Sequence, residues 1–416
     1  MTQESDAGPV RRLESRCCIV GGGPAGMMLG FLLARAGVPV LVLEKHRDFF
    51  RDFRGDTIHP STLELMHELG LLDRFLQLPH QQAPRLAGQI GDTLLNLVDF
   101  RHLPTRCKFI ALMPQWDFLN FIAEQGRRLP GFRLAMETEA AGLLHEGGGV
   151  AGVRARDPQG ALEVRADLVV ACDGRHSILR RDAGLEVMEI GAPMDVLWMR
   201  LSRRAADPDQ TLGRIDTGSI MVMLNRGDYW QCAYVIRKNG WQEIQGAGLE
   251  AFRARIAALQ PWLSDRVAEL KSWDDIKLLT VAVDRLRQWQ LPGLLCIGDA
   301  AHAMSPIGGV GVNLAVQDAV AAANLLHAPL RHGAPGYDAL RAVQERREWP
   351  TRMTQALQVA VQNNIISRVL ASRERPAPPW PVRLLGASPL LQRIPARVLG
   401  LGFRPEHIRT PAATAP

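Results

Sequence analysis

The sequence predicts an α/β protein with an inserted second sheet and a helical C-terminal tail. Two short apolar strands, over 17–20 and 294–297, run into glycine-rich turns that are followed by apolar helices, a pattern typical of a parallel sheet. Between these regions, alternating segments over 193–236 predict a mixed or antiparallel sheet. A chain of 416 residues is long enough for more than one unit, and its 47% hydrophobic residues favour a globular protein.

Charge and cysteine content exclude several classes of protein. The formal net charge of +6 is spread along the chain without a long basic run, so we expect no nucleic-acid partner. The six cysteines form no C-x-x-C pair, which favours reduced, buried thiols and predicts no metal site. No signal core and no apolar run long enough to span a bilayer are found, so the expected location is cytoplasmic.

The first motif predicts a dinucleotide site. An apolar strand over 17–20 ends at Gly21-x-Gly23-x-x-Gly26, a helix follows over 27–36, and a second strand over 39–43 ends on Glu44. In this context the glycines allow a tight turn and a close approach of pyrophosphate to the helix N-terminus, while the acid accepts hydrogen bonds from a ribose. The residues predicted to line this Rossmann-like site are Gly21, Gly23, Pro24, Ala25, Gly26, Glu44 and Lys45.

Two later motifs separate FAD from NAD. Asp173-Gly174 follows one buried strand, and Gly298-Asp299 follows another and continues through Pro306 to Asn313. In order and spacing, the three motifs resemble those of the single-component (group A) FAD-dependent aromatic hydroxylases, the family typified by para-hydroxybenzoate hydroxylase. The resemblance covers nearly the whole chain.

The resemblance implies noncovalently bound FAD. Asp299 would bind the ribityl chain, Asp173 would support FAD and the passing nicotinamide, and the backbone over 306–313 would lie against the flavin ring. A helix N-terminus there would stabilise the anionic reduced flavin. The further FAD contacts that the resemblance implies are Arg54, Gln115, Pro306, Gly309, Gly311, Val312 and Asn313.

The resemblance also implies the reaction. NADH or NADPH would visit as a transient co-substrate and reduce the flavin, and O₂ would form a C4a-hydroperoxide that hydroxylates an aromatic or polyketide-like small molecule. Arg54, His59 and Pro306 are the candidate catalytic residues, although His59 before Pro60 also suits a helix entry. The residues predicted to line the substrate cavity from the 193–236 sheet are Trp198, Met221, Met223 and Tyr234.

Other functions stay open on the sequence alone. A ubiquinone-precursor or isoprenoid oxygenase at the membrane surface, and a flavin-dependent reductase of the same fold, share these motifs. A flavin-binding sensor without turnover would be expected to lose parts of the 306–313 loop, which is complete. The basic, apolar tail over 381–409 favours a helical cover over a membrane segment, and the chain is expected to be a monomer or homodimer.

The predicted domains are discontinuous. The FAD-binding domain spans 14–80, 105–185 and 284–330, the substrate domain spans 81–104 and 186–283, and a helical segment spans 331–416. Apolar spacing predicts helices over 58–77, 115–129, 249–271 and 314–326.

Overall fold

A computed structural model describes residues 10–50, 57–209 and 211–413. The strands are β1 Arg11–Val20, β2 Val40–Leu43, β3 Thr57–Ile58, β4 Gln81–Ala83, β5 Arg85–Ile90, β6 Thr93–Asp99, β7 Ile110–Leu112, β8 Phe132–Ala135, β9 Glu139–Glu146, β10 Gly149–Asp157, β11 Gly160–Ala171, β12 Val187–Glu189, β13 Met194–Ser202, β14 Leu212–Asp216, β15 Ser219–Asn225, β16 Tyr229–Arg237, β17 Lys277–Leu279, β18 Asp284–Leu286, β19 Gln290–Leu291, β20 Leu294–Cys296 and β21 His302–Ala303. The helices are α1 Pro24–Arg35, α2 Pro60–Glu68, α3 Leu72–Phe75, α4 Gln115–Arg127, α5 Ile178–Asp182, α6 Trp241–Ala247, α7 Leu249–Leu259, α8 Gly311–His332, α9 Tyr337–Val361, α10 Ser367–Ala371, α11 Trp380–Ala387 and α12 Pro389–Gly400, with a π-helix Gln362–Ile366 between α9 and α10.

The first sheet places the nucleotide motifs. Its order is β19-β20-β11-β1-β2-β8, with β10 and β9 added beside β11. The strands β20, β11, β1, β2 and β8 are parallel. Because parallel strands end at the same edge, the turns that follow β1, β11 and β20 meet there. The predicted α/β fold is confirmed.

The second sheet has the order β17-β13-β16-β15-β14-β5-β6. It joins strands from both predicted substrate-domain segments, and only the β14–β5 pair is parallel. One face is closed by α6 and α7, whose Ile244, Phe252 and Ile256 are buried against it. The opposite face receives Ile307 from the loop before α8, so this face looks toward the nucleotide motifs.

Two predicted helices are shorter than expected. The helix predicted over 58–77 divides into α2 and α3 around Gly70, whose φ of +70° ends the first helix. The helix predicted over 249–271 ends at Leu259, because Pro261 cannot continue it, and short 3₁₀ turns follow.

The helix α8 is the core helix of the first domain. The stretch Ile307–His332 is long and apolar enough to cross a membrane, but 67% of its most apolar window is buried inside the protein. All six cysteines are free, and all except Cys172 are buried, as the sequence predicts.

Candidate active site

The turn after β1 is built by three glycines with different roles. A side chain at Gly21, where φ is +108°, would collide with the carbonyl of Cys172, and one at Gly26 would collide with the carbonyl of Gly21. A Cβ at Gly23 would meet nothing within 4 Å. Gly21 and Gly26 are therefore required by packing, whereas Gly23 borders open space at the N-terminus of α1.

Glu44 anchors the same turn from the end of β2. The Gly22 N–H donates to Glu44 Oε2 at 2.9 Å, and the backbone N–H of His46 donates to Glu44 Oε1 at 3.0 Å. Glu44 Oε1 also contacts Nδ1 of the His46 ring, and the carboxylate is 10% exposed at the edge of the turn. The neighbouring Lys45 is exposed, and its Nζ lies 3.9 Å from Glu139 Oε1. Gln115, the other predicted contact in this region, is half-buried at the start of α4.

The second and third motifs are adjacent. Asp173 Oδ2 accepts from the backbone of Ile178 at 2.8 Å, while Asp173 Oδ1 is buried and accepts no hydrogen bond from the described part of the chain. Burial raises the pKa of Asp173. Asp299 is 37% exposed, and its Oδ2 lies 3.7 Å from the Arg175 guanidinium. An ideal Cβ on Gly298 would lie 3.0 Å from the Cβ of Ala25, which brings the third motif against the first.

The loop from Pro306 to Asn313 is fixed by contacts with β3. Thr57 Oγ1 donates to the carbonyl of Gly309 at 2.9 Å. The Asn313 amide accepts from the His59 N–H and the Thr62 hydroxyl and donates to the carbonyls of Thr57 and Gly309. This side chain is fully used within the protein, so only its backbone is available to a ligand. The first-turn N–H groups of α8, from Gly311 to Asn313, have no acceptor within the helix.

His59 is the N-cap of α2. Its Nδ1 lies 2.7 Å from the Leu399 carbonyl, to which it donates, and its Nε2 is buried without a partner among the described residues. Burial lowers the pKa of His59 to about 4, so the ring is neutral at pH 7. His59 therefore connects the start of α2 to α12, and its catalytic role stays a prediction. Arg54 lies outside the described residues.

A buried ionic cluster behind the third motif was missed by the sequence analysis. Asp318 accepts from His302 Nε2 at 2.6 Å, from Arg347 Nε at 2.9 Å and from the Gly298 N–H at 3.1 Å. Arg347 NH1 also lies 3.4 Å from Glu406 Oε1. The partners are far apart in the sequence, so spacing gives no signal for them. The cluster ties the Gly298–Asp299 turn to α8, α9 and the C-terminal segment.

Three glutamines on one face of α9 and the π-helix hold the chain at the start of the 306–313 loop, the flavin loop. Gln355 donates to the carbonyl of Ala303, and Gln358 donates to those of Ser305 and Ile307, at 2.9–3.1 Å. Gln362 donates to the hydroxyl of Ser305 at 2.8 Å. Their spacing of three and four residues is the signal that could have identified this face.

Three of the four residues predicted to line the substrate cavity lie on the sheet face that the helices cover. Met221, Met223 and Tyr234 belong to the buried core against α7, so the prediction for them is wrong. Alternation distinguishes the two faces of a strand but does not indicate which face the helices cover. Trp198 lies on the opposite face with Val222 and Ala233, and that face looks toward Ile307.

FAD fits the residues present. The open side of Gly23 accommodates a pyrophosphate, the unpaired Asp173 Oδ1 and partly exposed Asp299 can accept from ribityl hydroxyls, and two helix N-termini supply free N–H groups. The arrangement can hold a dinucleotide along the edge where the strands end.

The comparisons with known proteins also support a site for FAD. The FAD binding domain family matches residues 14–357. The chain is 34% identical over 362 residues to the 6-methylpretetramide 4-monooxygenase of Streptomyces rimosus, covering 86% of each chain. Two crystal structures share the fold. The structure of p-nitrophenol 4-monooxygenase PnpA from Pseudomonas putida DLL-E4 is 21% identical, with a TM-score of 0.75 over 93% of this chain and 97% of that one. The structure of PqsL, a probable FAD-dependent monooxygenase from Pseudomonas aeruginosa, is 22% identical, with a TM-score of 0.74 over 86% of this chain and 98% of that one. The chain therefore belongs to the FAD binding domain family of aromatic hydroxylases and is an FAD-dependent monooxygenase that uses NAD(P)H and O₂.

Proposed function

We propose that the substrate is a phenolic, polycyclic aromatic compound of polyketide type. The observation that carries this proposal is the 34% identity to a 6-methylpretetramide 4-monooxygenase over 86% of both chains. A likeness of that extent spans the nucleotide motifs and the second sheet together, so it includes the residues that would select a substrate.

The sheet face toward Ile307 supports a flat apolar substrate. Trp198, Val222 and Leu224 are partly exposed although their strands lie inside a seven-stranded sheet. Gly88 and Gly213 are paired on neighbouring strands, and Gly213 is also opposite Val222. Two adjacent glycines leave room for a ring over the sheet, and the apolar side chains around them exclude water.

The positions of the predicted FAD-binding residues support a role for each of them. Gly23 and the α1 N-terminus would hold the pyrophosphate, Glu44 the adenosine ribose, and Asp173 and Asp299 the ribityl chain. The backbone from Pro306 to Val312 would face the flavin ring, where the N–H groups of α8 favour negative charge. When bound and reduced by NAD(P)H, FAD activates O₂ so that one oxygen atom is transferred to the aromatic ring of the substrate. The chain's own residues orient the substrate and keep water out.

The test compares substrates of different size. NAD(P)H oxidation and product mass are measured with polycyclic phenols, monocyclic phenols and quinolones, and we expect polycyclic phenols to stimulate oxidation and gain one oxygen. Gly213→Val should fold, since its Cβ would come no closer than 3.8 Å to other atoms, and should raise KM for polycyclic phenols selectively. Gly246→Val, at an exposed and open position of α6, is the control. Stimulation by monocyclic phenols alone would contradict the proposal.

A further inference from the structure

The outer faces of α11 and α12 carry the same pattern of exposed residues. The exposed positions include Trp380, Arg383 and Leu384 on α11, and Leu390, Arg393, Ile394 and Arg397 on α12. In both helices the spacing is three and four residues, so these side chains lie on one face. We propose that this face docks on an anionic lipid surface.

The apolar side chains are unusually exposed. Trp380 is 77% exposed, and Leu384, Leu390 and Ile394 are between 51% and 66% exposed. They protrude from two neighbouring short helices, which Gln392 joins by donating to the carbonyls of Leu385 and Gly386. Large apolar side chains with tryptophan on a helix face, and arginine beside them, suit the boundary between headgroups and acyl chains.

The chain segment that carries this face has charge of one sign. From Arg375 to Pro405 it contains five arginines and neither aspartate, glutamate nor lysine, and Arg375 pairs with Asp92 and Asp216 outside the segment. Arg383, Arg393 and Arg397 are exposed and form no ion pair with any residue in the described ranges. Basic side chains near an anionic membrane add to the binding that apolar insertion supplies.

This charge also argues against a second copy of the chain. A two-fold contact through the same face would bring the arginines of both copies together without a compensating acid. An acidic protein would satisfy the charge, but the apolar side chains protrude instead of lining a groove, and protruding side chains suit a deformable lipid layer better.

The inner faces of these helices lie over the active site. Gln392, Ala396 and Gly400 are buried, and Leu399 of α12 accepts from His59 and lies close enough to Gly308 that an added Cβ would come within 2.7 Å of it. On α11, Gly386 packs on Leu95 of β6. The lipid-facing side and the flavin loop would therefore lie on opposite sides of α12. An apolar substrate could then enter the active site from the membrane.

The test is flotation of the FAD-loaded enzyme with phosphatidylcholine vesicles, with and without phosphatidylglycerol. We expect binding only to the vesicles that contain phosphatidylglycerol. Trp380→Ser/Ile394→Ser should weaken that binding roughly tenfold or more, and Arg383→Gln/Arg393→Gln/Arg397→Gln roughly a hundredfold. The controls are Ile190→Ser/Leu278→Ser, which removes two apolar side chains that are 39% and 40% exposed, and Arg156→Gln/Arg255→Gln/Arg331→Gln, which removes three exposed arginines elsewhere.

Loss of binding in both outer-face variants and its retention in both controls, with FAD content unchanged, would support the proposal. Three results would overturn it: no flotation of the unmodified enzyme, equal binding to neutral vesicles, or equal effects of the control variants. A concentration-dependent dimer that Trp380→Ser/Ile394→Ser dissociates would also overturn it, by assigning the face to self-association. The outcome does not depend on which aromatic compound the enzyme hydroxylates.

Discussion

Arg347 and Asp318 form an ion pair from which solvent is excluded, with Nε 2.9 Å from Oδ1 and side-chain exposures of 1% and 0%. Burial alone would raise the pKa of Asp318, but interactions with His302 and Arg347 outweigh it and hold the pKa below its usual value. Because Asp318 also accepts from the Gly298 N–H, the pair connects the fold of the C-terminal half to the turn that carries Asp299.

Replacing Arg347 should therefore affect stability and cofactor binding together. Arg347→Met leaves a buried carboxylate without its guanidinium, which costs about 3–5 kcal/mol. We expect a lower thermal midpoint and weaker FAD binding, measured by calorimetric unfolding and FAD titration. Arg346→Met is the control, because Arg346 is 26% exposed and, among the described residues, pairs with Glu406 and not with Asp318. Equal losses in the two variants would contradict the role given to Asp318.

Gly23→Val separates cofactor binding from folding. The backbone at Gly23, with φ −74° and ψ −176°, is extended, and valine adopts that conformation readily. The apoprotein should keep its thermal midpoint, while FAD affinity falls by roughly a hundredfold, about 3 kcal/mol, because the side chain occupies the phosphate position. Gly246→Val should bind FAD normally. Full FAD affinity in Gly23→Val would show that this turn is not a phosphate site.

Asp299→Ala tests the ribityl contact. Loss of the carboxylate leaves ribityl hydroxyls unpaired at a cost of about 1–3 kcal/mol, so FAD affinity should fall roughly five- to a hundredfold. Asp299→Asn keeps an acceptor oxygen and should retain more affinity than the alanine variant. Asp338→Ala, which removes an exposed carboxylate from α9, should leave the FAD titration unchanged. Unaltered affinity in a folded Asp299→Ala protein would contradict the assignment.

The buried His59 should make the protein less stable at acidic pH. Its pKa is about 4 in the folded protein, against 6.5 for an ordinary histidine, so the unfolded chain binds the proton more readily between these values. The contribution of His59 to the free energy of unfolding is fully present above pH 6.5. This contribution falls by up to about 3 kcal/mol as the pH approaches 4. His59→Asn keeps a donor for the Leu399 carbonyl and should remove this part of the decline, seen in denaturant unfolding from pH 4 to 7. His332→Asn, at an exposed position, should not. A kcat pH profile of His59→Asn that loses a limb would instead support a catalytic role.

The sequence predicted the features that local chemistry determines. The turns around Gly21 and Gly298 follow from glycines between an apolar strand and a helix, and a parallel sheet brings strand ends to one edge. The sheet face was mispredicted at Met221 and Tyr234, because alternation identifies two faces but not which one α7 covers. The contacts of Asp318 with His302, Arg347 and the backbone of Gly298 were missed, because they depend on how α8, α9 and the turn after β20 pack. The backbone contact of Asn313 with the cofactor stays a prediction, and the use of its side-chain amide by His59, Thr62, Thr57 and Gly309 depends on the tertiary structure.

The most direct test of the central claim is turnover of a polycyclic phenol with NAD(P)H under ¹⁸O₂, followed by mass spectrometry of the product. A monooxygenase that hydroxylates the ring incorporates one labelled oxygen atom and forms no product without O₂. We expect one ¹⁸O atom per product molecule and none from labelled water. An unlabelled product, or product formation at an undiminished rate under anaerobic conditions, would contradict the account and favour a flavin-dependent reductase.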